Sequence, residues 1–396
     1  MITTINNKHK KLNVPNLRFP EFQGEWEKKS LGEIGDSFIG LTYRPTDVVS
    51  EGGLIVFRSS NIQNGCMDYK DIVRVNKNVK EKLITKKDDL LVCARNGSAR
   101  LIGKNAILHE TDANQTFGAF MMVFRSDKNH FVHQLLNTRR YSSQVSENLG
   151  ARINQITSSD LSSFEFFFPK ENNEMNKISA LLDLLDERIA TQNKIIEDLK
   201  KLKSAIIEKL YSEIQGKEYS YRQLFEIINE RNNRLEFSNV LSASQERGMV
   251  SREDLNLDIK FERSNINTYK IVRNGDYVIH LRSFQGGFAF SDIVGVCSPA
   301  YTIMRPKDLL EYGYLSYYFT SRQFIKSLVI VTYGIRDGRS INVDEWFDMK
   351  IVIPTKEQQR HIVRTIKVFE NKIENEEMYA SCLLKQKQHL LRQMFI

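Results

Sequence analysis

The sequence predicts an α+β protein in which two mixed α/β domains are joined by two long antiparallel helices. Three observations lead to this fold class. The chain has 396 residues, which exceeds what one hydrophobic core usually serves. Residues 178–211 align without gaps with residues 362–395 at an offset of 184. Both segments carry apolar residues in alternating steps of four and three, the spacing of a coiled-coil seam.

The two heptad segments predict paired helices because their seams carry polar residues in the same two layers. Gln192 corresponds to Glu376, and Lys203 corresponds to Lys387. An antiparallel pairing that matches polar with polar sets Lys203 against Glu376 and Gln192 against Lys387. The apolar layers that this register predicts are Leu185 with Met394, Ile189 with Leu390, Ile196 with Leu383, and Leu210 with Phe369. A parallel pairing stays an alternative, which would bring residue 196 next to residue 362 instead.

The repeat extends upstream of the helices, so the chain is predicted to be a pseudo-twofold duplication. The segment DLLVCAR at 89–95 matches DYVIHLR at 276–282, and Trp26-x4-Leu31 resembles Tyr219-x4-Leu224. The expected organisation is a first globular domain at 1–170, a helix at 171–211, a linker at 212–220, a second globular domain at 221–355 and a helix at 356–396.

Within the globular copies, short apolar runs predict strands and longer periodic runs predict helices. We expect strands at 54–57, 90–93, 120–124, 164–168, 277–281, 293–296 and 349–353. We expect single helices at 130–148 and 309–331.

Several kinds of chemistry have no recognisable motif in the chain. There is no phosphate-binding G-x-x-x-x-G-K-[ST] loop and no Asp/Asn-Pro-Pro-aromatic loop of amino-methylating enzymes. Four scattered cysteines favour neither disulfides nor a thiolate metal site. His130-x-x-His133 reads as two solvated imidazoles on one helical face, and Asp88-Asp89 reads as a turn before a strand. We therefore predict no catalytic residue and no metal site.

Polar loops rich in Arg, Ser, Asn and Gly follow predicted strands in both copies and are candidates for DNA contact. Arginine can bind guanine with two hydrogen bonds, asparagine can do the same for adenine, and glycine permits close approach. A formal net charge of +8 suits an anionic partner. The candidates in the first copy are Arg58, Ser60, Asn61, Arg95, Asn96, Ser98 and Arg152. The candidates in the second copy are Arg247, Arg282, Ser283, Gln285, Arg336 and Arg339. Ordinary polar turns are the alternative for each of them, and for the matched pairs Arg95/Arg282 and Arg152/Arg336 a shared structural ion pair is another.

The order of these elements resembles that of the specificity subunits of type I restriction–modification systems. The resemblance rests on NVPNLRFPEFQGEWEKKSLGEI at the start, GARINQITSSDL at 150–161, a proline and a heptad helix, and the repetition of the whole. It covers nearly the full chain.

The resemblance implies two target-recognition domains that each read one half of a split site in double-stranded DNA. It also implies helices that set the spacing and bind two modification subunits, and further restriction subunits in the complete complex. S-adenosylmethionine, ATP and Mg²⁺ would be bound by those partners, and no cofactor is expected in this chain. The partners would methylate adenine at N6 or cleave unmodified DNA. The expected location is the cytoplasm, with no membrane association. A DNA-bridging or regulatory protein that works alone and a self-contained nuclease or methyltransferase are the alternatives.

Overall fold

The computed structural model describes residues 12–151, 154–244, 247–255, 263–280, 286–333 and 340–396. The chain divides into two compact units, and each is described by itself below. The first unit comprises Met1–Lys194 with Met378–Ile396, and the second comprises Ile195–Glu377.

Twelve strands are described in the first unit and twelve in the second. Those of the first are β1 (Glu27–Ser30), β2 (Asp36–Ile39), β3 (Val48–Val49), β4 (Leu54–Phe57), β5 (Ile62–Gln63), β6 (Cys66–Met67), β7 (Arg74–Val75), β8 (Leu90–Cys93), β9 (Asn105–Ile107), β10 (Thr116–Phe117), β11 (Met121–Arg125) and β12 (Glu165–Phe168). Those of the second are β13 (Lys217–Ser220), β14 (Phe225–Ile228), β15 (Leu241–Ser244), β16 (Gly248–Ser251), β17 (Lys270–Val272), β18 (Tyr277–Ile279), β19 (Phe288–Phe290), β20 (Gly295–Cys297), β21 (Thr302–Pro306), β22 (Thr332–Tyr333), β23 (Ser340–Ile341) and β24 (Lys350–Ile353).

Two of the α-helices are far longer than the others. The helices are α1 (Asn129–Leu135), α2 (Arg139–Ala151), α3 (Ser158–Ser163), α4 (Asn172–Ser212), α5 (Tyr221–Leu224), α6 (Tyr314–Tyr318), α7 (Arg322–Ser327), α8 (Val343–Asp348) and α9 (Lys356–Met394). In the described part of the chain, none of them combines the length and apolar character that crossing a bilayer requires.

One four-stranded sheet has the same strand order in both units, which confirms the internal repeat. In the first unit its order is β2-β11-β8-β9, and in the second it is β14-β21-β18-β19. A further four-stranded sheet of the first unit, β10-β4-β7-β3, has no four-stranded counterpart among the described strands of the second. An antiparallel two-stranded pair precedes the long helix in each unit, β1 with β12 and β13 with β24. Residues 217–220, assigned to a linker from the sequence, therefore form a strand that repeats the role of β1.

The central sheet of the first unit is covered on both faces, and alternate side chains divide between two cores. Leu90 and Phe124 point into a core that also holds Trp26 and Phe131. Their neighbour Leu91 points into a second core on the opposite face. A strand that is buried on both sides needs apolar residues at every position, which explains the runs LLVC and MMVF. The second unit repeats the division, with Tyr277 and Val278 of β18 in different cores.

Residues from the far end of the chain complete the larger core of the first unit. Phe395 lies 5.3 Å from Phe131 and 6.3 Å from Trp26 between ring centroids. The backbone N–H of Leu17 donates to the carbonyl of Gln393 at 2.8 Å. The larger core of this unit is thus completed by the end of α9 and by Phe395, which follows it.

The predicted seam of the long helices agrees with the observed burial. All twenty seam positions, 178–210 on α4 and 362–394 on α9, are buried or half-buried. Within each unit the helices run antiparallel. In the first unit Asp186 pairs with Lys387, and Arg188 stacks over Tyr379. A later residue on α4 thus contacts an earlier residue on α9.

The predicted register is wrong by one heptad. Lys203 pairs with Glu370 at 3.4 Å, whereas Glu376 was expected; Glu370 lies beside Phe369, the seam residue one heptad before Glu376. Lys387 pairs with Asp186, whereas Gln192 was expected. The prediction matched seam lysines with polar seam residues, but a lysine side chain is long enough to reach a carboxylate beside the seam. The residue that faces each lysine across the seam can therefore be apolar.

The corrected register predicts a cross-link in the first unit. Ile189 is expected to face Leu383, and the earlier register would set it against Leu390. With Cys382→Ser as background, the double variant Ile189→Cys/Leu383→Cys should form a disulfide under mild oxidation, as judged by gel mobility. Ile189→Cys/Leu390→Cys is the matched control and should stay reduced, because one heptad is about 10 Å along a helix. Cross-linking of the second pair alone would contradict the register.

Two helices predicted as continuous are broken in the structure. Residues 130–148 form α1 and α2, because the hydroxyl of buried Thr138 accepts from the N–H of Tyr141 at 3.4 Å and starts a new helix. Residues 309–331 form α6, α7 and a short 3-10 turn. Here the Ser321 hydroxyl caps α7 by accepting from the N–H of Phe324 at 3.1 Å. Serine and threonine favour such N-terminal caps over helix interiors.

The strands predicted at 54–57 and 90–93 have these bounds in the structure. The run at 120–124 is shifted to Met121–Arg125, and that at 164–168 begins one residue later. The runs at 293–296 and 349–353 correspond to β20 and β24, each displaced by one or two residues. The strand predicted at 277–281 ends at Ile279, and residue 281 lies outside the described residues.

Candidate nucleic-acid interface

Two candidate loops of the first unit lie side by side. One follows β4 and the other follows β8, and a hydrogen bond from Asn96 Nδ2 to Ser59 Oγ at 3.0 Å joins them. Asn96 also shapes its own loop, because its Oδ1 accepts from the N–H of Ser98 at 3.0 Å. The structure thus brings the predicted segments 57–65 and 93–104 together on one surface.

Arg95 lies at the end of β8 with its side chain exposed. Its guanidinium donates to the Gln155 side-chain oxygen and stands over the ring of Phe120, 5.7 Å from the centroid. Phe120 is 58% exposed, unusual for a large aromatic side chain. This group, named here the Arg95 cluster, combines Arg95, Phe120 and Gln155. An exposed guanidinium can bind a phosphate or the edge of a guanine, and an exposed phenyl ring can contact a thymine methyl group.

Two members of this cluster were missed by sequence reasoning. Phe120 was assigned to the strand predicted at 120–124, but the strand begins at Met121. Gly118 and Ala119, which precede Phe120, are the sequence signal that the strand begins later. Gln155 lies within the GARINQITSSDL segment, and its backbone forms a bridge with Arg95. Nothing in the local pattern distinguishes it from a polar turn residue.

The other candidates of the first loop contribute to its structure. Asn61 is 1% exposed, and its Nδ2 donates to the carbonyls of Asp68 and Asp71, both at 2.9 Å. Its Oδ1 accepts from the N–H of Arg58 at 2.9 Å. Asn61 therefore holds the loop and does not present its amide to a base. Arg58 forms an ion pair with Asp71 at 2.6 Å, while Ser60 and Ser98 are half-buried beside the Arg95 cluster's loops.

Most candidates of the second unit lie outside the described residues. These are Arg282, Ser283, Gln285, Arg336 and Arg339, together with Arg152 in the first unit. Arg247 is described and exposed. It follows β15, and its backbone N–H donates to Ser244 Oγ at 3.3 Å.

The acidic pair Asp88-Asp89 forms a turn before β8, as predicted. Asp88 has a positive φ of 65°, and Asp89 Oδ2 accepts from the N–H of Lys86 at 2.9 Å. Asp89 also accepts hydrogen bonds from Nε and Nη2 of Arg125, at 2.7 and 2.6 Å. This hydrogen bond with Asp89 raises the pKa of Arg125. The second unit has the same arrangement between Asp276 and Arg305, so this pair is a repeated structural element.

The histidine pair differs from its prediction. His130 is exposed and its Nδ1 lies 2.6 Å from Asp183 Oδ2, an interaction that raises the pKa of His130. His133 was expected to be solvated, but it is only 5% exposed. Burial lowers the pKa of His133 to about 4, and the nearby ammonium of Lys387 acts in the same direction. The interpretation of two solvated imidazoles is therefore wrong for His133.

The structure as a whole defines a class: two repeated α+β units that carry exposed polar loops, with long antiparallel helices in both. Residues 23–201 match the model of the type I restriction modification DNA specificity domain. The EcoKI specificity subunit of Escherichia coli (strain K12) is 23% identical over 370 residues, which cover 83% of this chain and 78% of that protein. The StySPI specificity subunit of Salmonella potsdam is 27% identical over 195 residues, 46% of this chain and 42% of that protein.

Solved structures share the fold. The S subunit of a type I restriction–modification system from M. genitalium gives a TM-score of 0.56 at 15% identity, with 97% of this chain and 99% of that chain covered. A chain from a study of type I system assembly gives a TM-score of 0.53 at 14% identity, with 92% and 96% covered. In the domain model that it matches, in its relatives and in its fold, this chain is similar to the specificity subunits of type I restriction–modification systems.

The Arg95 cluster yields a prediction on DNA affinity. Arg95→Ala should weaken binding of a duplex that contains the target by about 10- to 100-fold, the effect of losing one two-pronged base contact. Fluorescence anisotropy at fixed salt measures it, with the partner subunits present. Arg139→Ala, an exposed arginine at the start of α2, is the matched control and should bind as the unaltered protein does. Equal affinity of the two variants would remove Arg95 from the interface.

Proposed function

We propose that this chain reads a two-part DNA target, with one half-site bound by each unit, and that it supplies no catalytic group of its own. The observation that carries this proposal is the Arg95 cluster, whose arginine is exposed on one of two paired loops in the segment that matches the DNA specificity domain. The repeated sheet order supports a second reader in the second unit. A protein with two repeated DNA-binding units matches a DNA target with two half-sites.

The proposed partners are two modification subunits, and restriction subunits in the larger complex. The long helices offer apolar contacts for them, since Leu184, Val368 and Met378 are 64–66% exposed. S-adenosylmethionine, ATP and Mg²⁺ are assigned to those partners. Because the substrate is cellular DNA, the proposed location is the cytoplasm.

Mapping N6-methyladenine across the host genome tests the function. We expect a two-part motif to be methylated in cells that have this gene and unmethylated in cells that lack it. The purified chain alone should transfer no methyl group, and methyl transfer should be detected only after a modification subunit is added. Unchanged methylation on deletion, together with DNA binding by the chain alone, would favour the DNA-bridging or regulatory alternative.

A further inference from the structure

The first unit contains a cluster of metal-binding side chains that the proposed function does not use. His133 on α1 and Asp183 and Asp186 on α4 each point one ligand atom into the same space. These atoms all lie within 4.8 Å of one another. Lys387 of α9 borders the cluster through its ion pair with Asp186.

The imidazole of His133 is the feature that distinguishes this cluster from a surface group of acids. It is 5% exposed, and neither of its ring nitrogens has a hydrogen-bond partner. The next residue, Gln134, is fully buried and donates from Nε2 to Asp183 at 2.8 Å and Asp186 at 3.0 Å, while its Oε1 also has no partner. Buried polar atoms are nearly always paired in folded proteins. Two adjacent residues with open acceptors therefore point to an absent ligand.

Each oxygen of the two carboxylates can accept one more bond. Asp183 Oδ2 interacts with His130, and its Oδ1 accepts from Gln134. In Asp186 one oxygen accepts from Lys387 and the other from Gln134. A carboxylate oxygen has two lone pairs, so each of these oxygens retains one.

In the second unit the residues at the corresponding position are different, and they pair with one another. At the offset of 184, His133, Asp183 and Asp186 correspond to Tyr317, Lys367 and Glu370. The Tyr317 hydroxyl donates to Glu370 Oε2 at 2.8 Å, and Lys367 and Lys203 each lie 3.4 Å from a Glu370 oxygen.

The difference between the two units is one of charge and of pairing. In the second unit one carboxylate is bound by a phenol and two ammonium groups, so its charge is compensated within the network. In the first unit a lysine has been replaced by Asp183 and the phenol by an imidazole without a partner. The first unit thus has an additional negative charge and an open nitrogen ligand at the same point.

We propose that His133, Asp183 and Asp186 bind a divalent transition-metal ion, of which Zn²⁺ is the best match. Zn²⁺ accepts imidazole nitrogen and carboxylate oxygen as ligands, whereas hard ions such as Mg²⁺ prefer oxygen alone. Bonds of about 2.0–2.2 Å place tetrahedral ligands about 3.4 Å apart, so the three side chains close inwards on binding. Lys387, whose side chain is 13% exposed, turns towards solvent. The ion ties α1 of the globular part to α4.

Calorimetry with Zn²⁺ tests the site on the full-length, tag-free chain after treatment with a chelator. We expect one strongly bound Zn²⁺ per chain and a higher melting temperature in its presence. His133→Ala should weaken binding by more than about 100-fold, because outer partners of metal ligands alone are worth 10- to 100-fold. His389→Ala, an exposed histidine on α9, is the matched control and should bind as the unaltered chain does. Absence of Zn²⁺ binding, or binding that is insensitive to His133→Ala, would overturn the proposal.

Two further variants separate metal binding from structural disruption. Lys387→Met removes the ammonium that competes for Asp186, so it should tighten Zn²⁺ binding by about tenfold or more. A purely structural role would make it a destabilising change with no effect on Zn²⁺. The double variant His133→Tyr/Asp183→Lys reproduces the second unit and should fold without binding Zn²⁺. Both experiments read metal affinity directly, so they remain informative if the proposed DNA-reading function fails.

Discussion

Replacing Arg125 with methionine should destabilise the first unit by about 3–5 kcal/mol, the cost of leaving one member of a buried ion pair without its partner. The side chain of Asp89 is 2% exposed, and its two oxygens are held by the guanidinium. Methionine keeps the aliphatic volume but leaves the carboxylate with one backbone N–H, from Lys86. Urea denaturation followed by circular dichroism measures the change.

The repeated pair in the second unit supplies an internal comparison. Arg305 binds Asp276 in the same geometry, but the Arg305 side chain is 36% exposed against 23% for Arg125. Solvent screens Arg305 more, so Arg305→Met should cost less than Arg125→Met. Arg139→Met, at an exposed position, should leave the midpoint unchanged. Equal midpoints for all three variants would show that the buried pair adds nothing to stability.

Exchanging residues 20–168 for the same segment of another specificity subunit should replace one half of the DNA target and preserve the other. The Arg95 cluster and both paired loops lie within this segment. One wrong base pair costs about 1–3 kcal/mol, so several in one half-site should lower occupancy of the original target by about 10³-fold or more. Mapping N6-methyladenine in cells that carry the hybrid reads both halves at once.

A matched hybrid isolates the contribution of the loops. It takes the donor's residues only at the buried core positions of the sheet, such as Leu91 and Val123, and keeps the loops of this chain. Its half-site should be that of the unaltered protein. A full exchange that altered both half-sites would contradict independent reading by the two units.

The repeat and the central strands could be predicted because their signals are local and doubled. The run LLVC has the same pattern as its counterpart YVI, and both form strands with two buried faces. Some of the two-residue strands were missed because only distant partners create them. Val48–Val49, for example, is a strand only through its pairing with Arg74–Val75.

The environments of single side chains were less predictable. His133 is polar and has the helical spacing of a surface residue, but it is buried, and the charged groups near it, Asp186 and Lys387, come from two distant helices. The register of the long helices failed for a related reason. Apolar heptads allow several registers, and the choice falls to flanking acids and to the ends of the helices, where Met394 joins the core of the first unit.

Because residues 378–396 complete the first unit, that unit cannot finish folding until the end of translation. Trp26 and Phe131 leave the ribosome early, yet Phe395, which packs against both, is translated more than 260 residues after Phe131. The second unit can fold while part of the apolar surface of the first unit is still exposed. Chaperones that shield nascent chains are therefore expected to engage the amino-terminal part for most of translation, and premature termination within α9 should send the polypeptide to proteolysis.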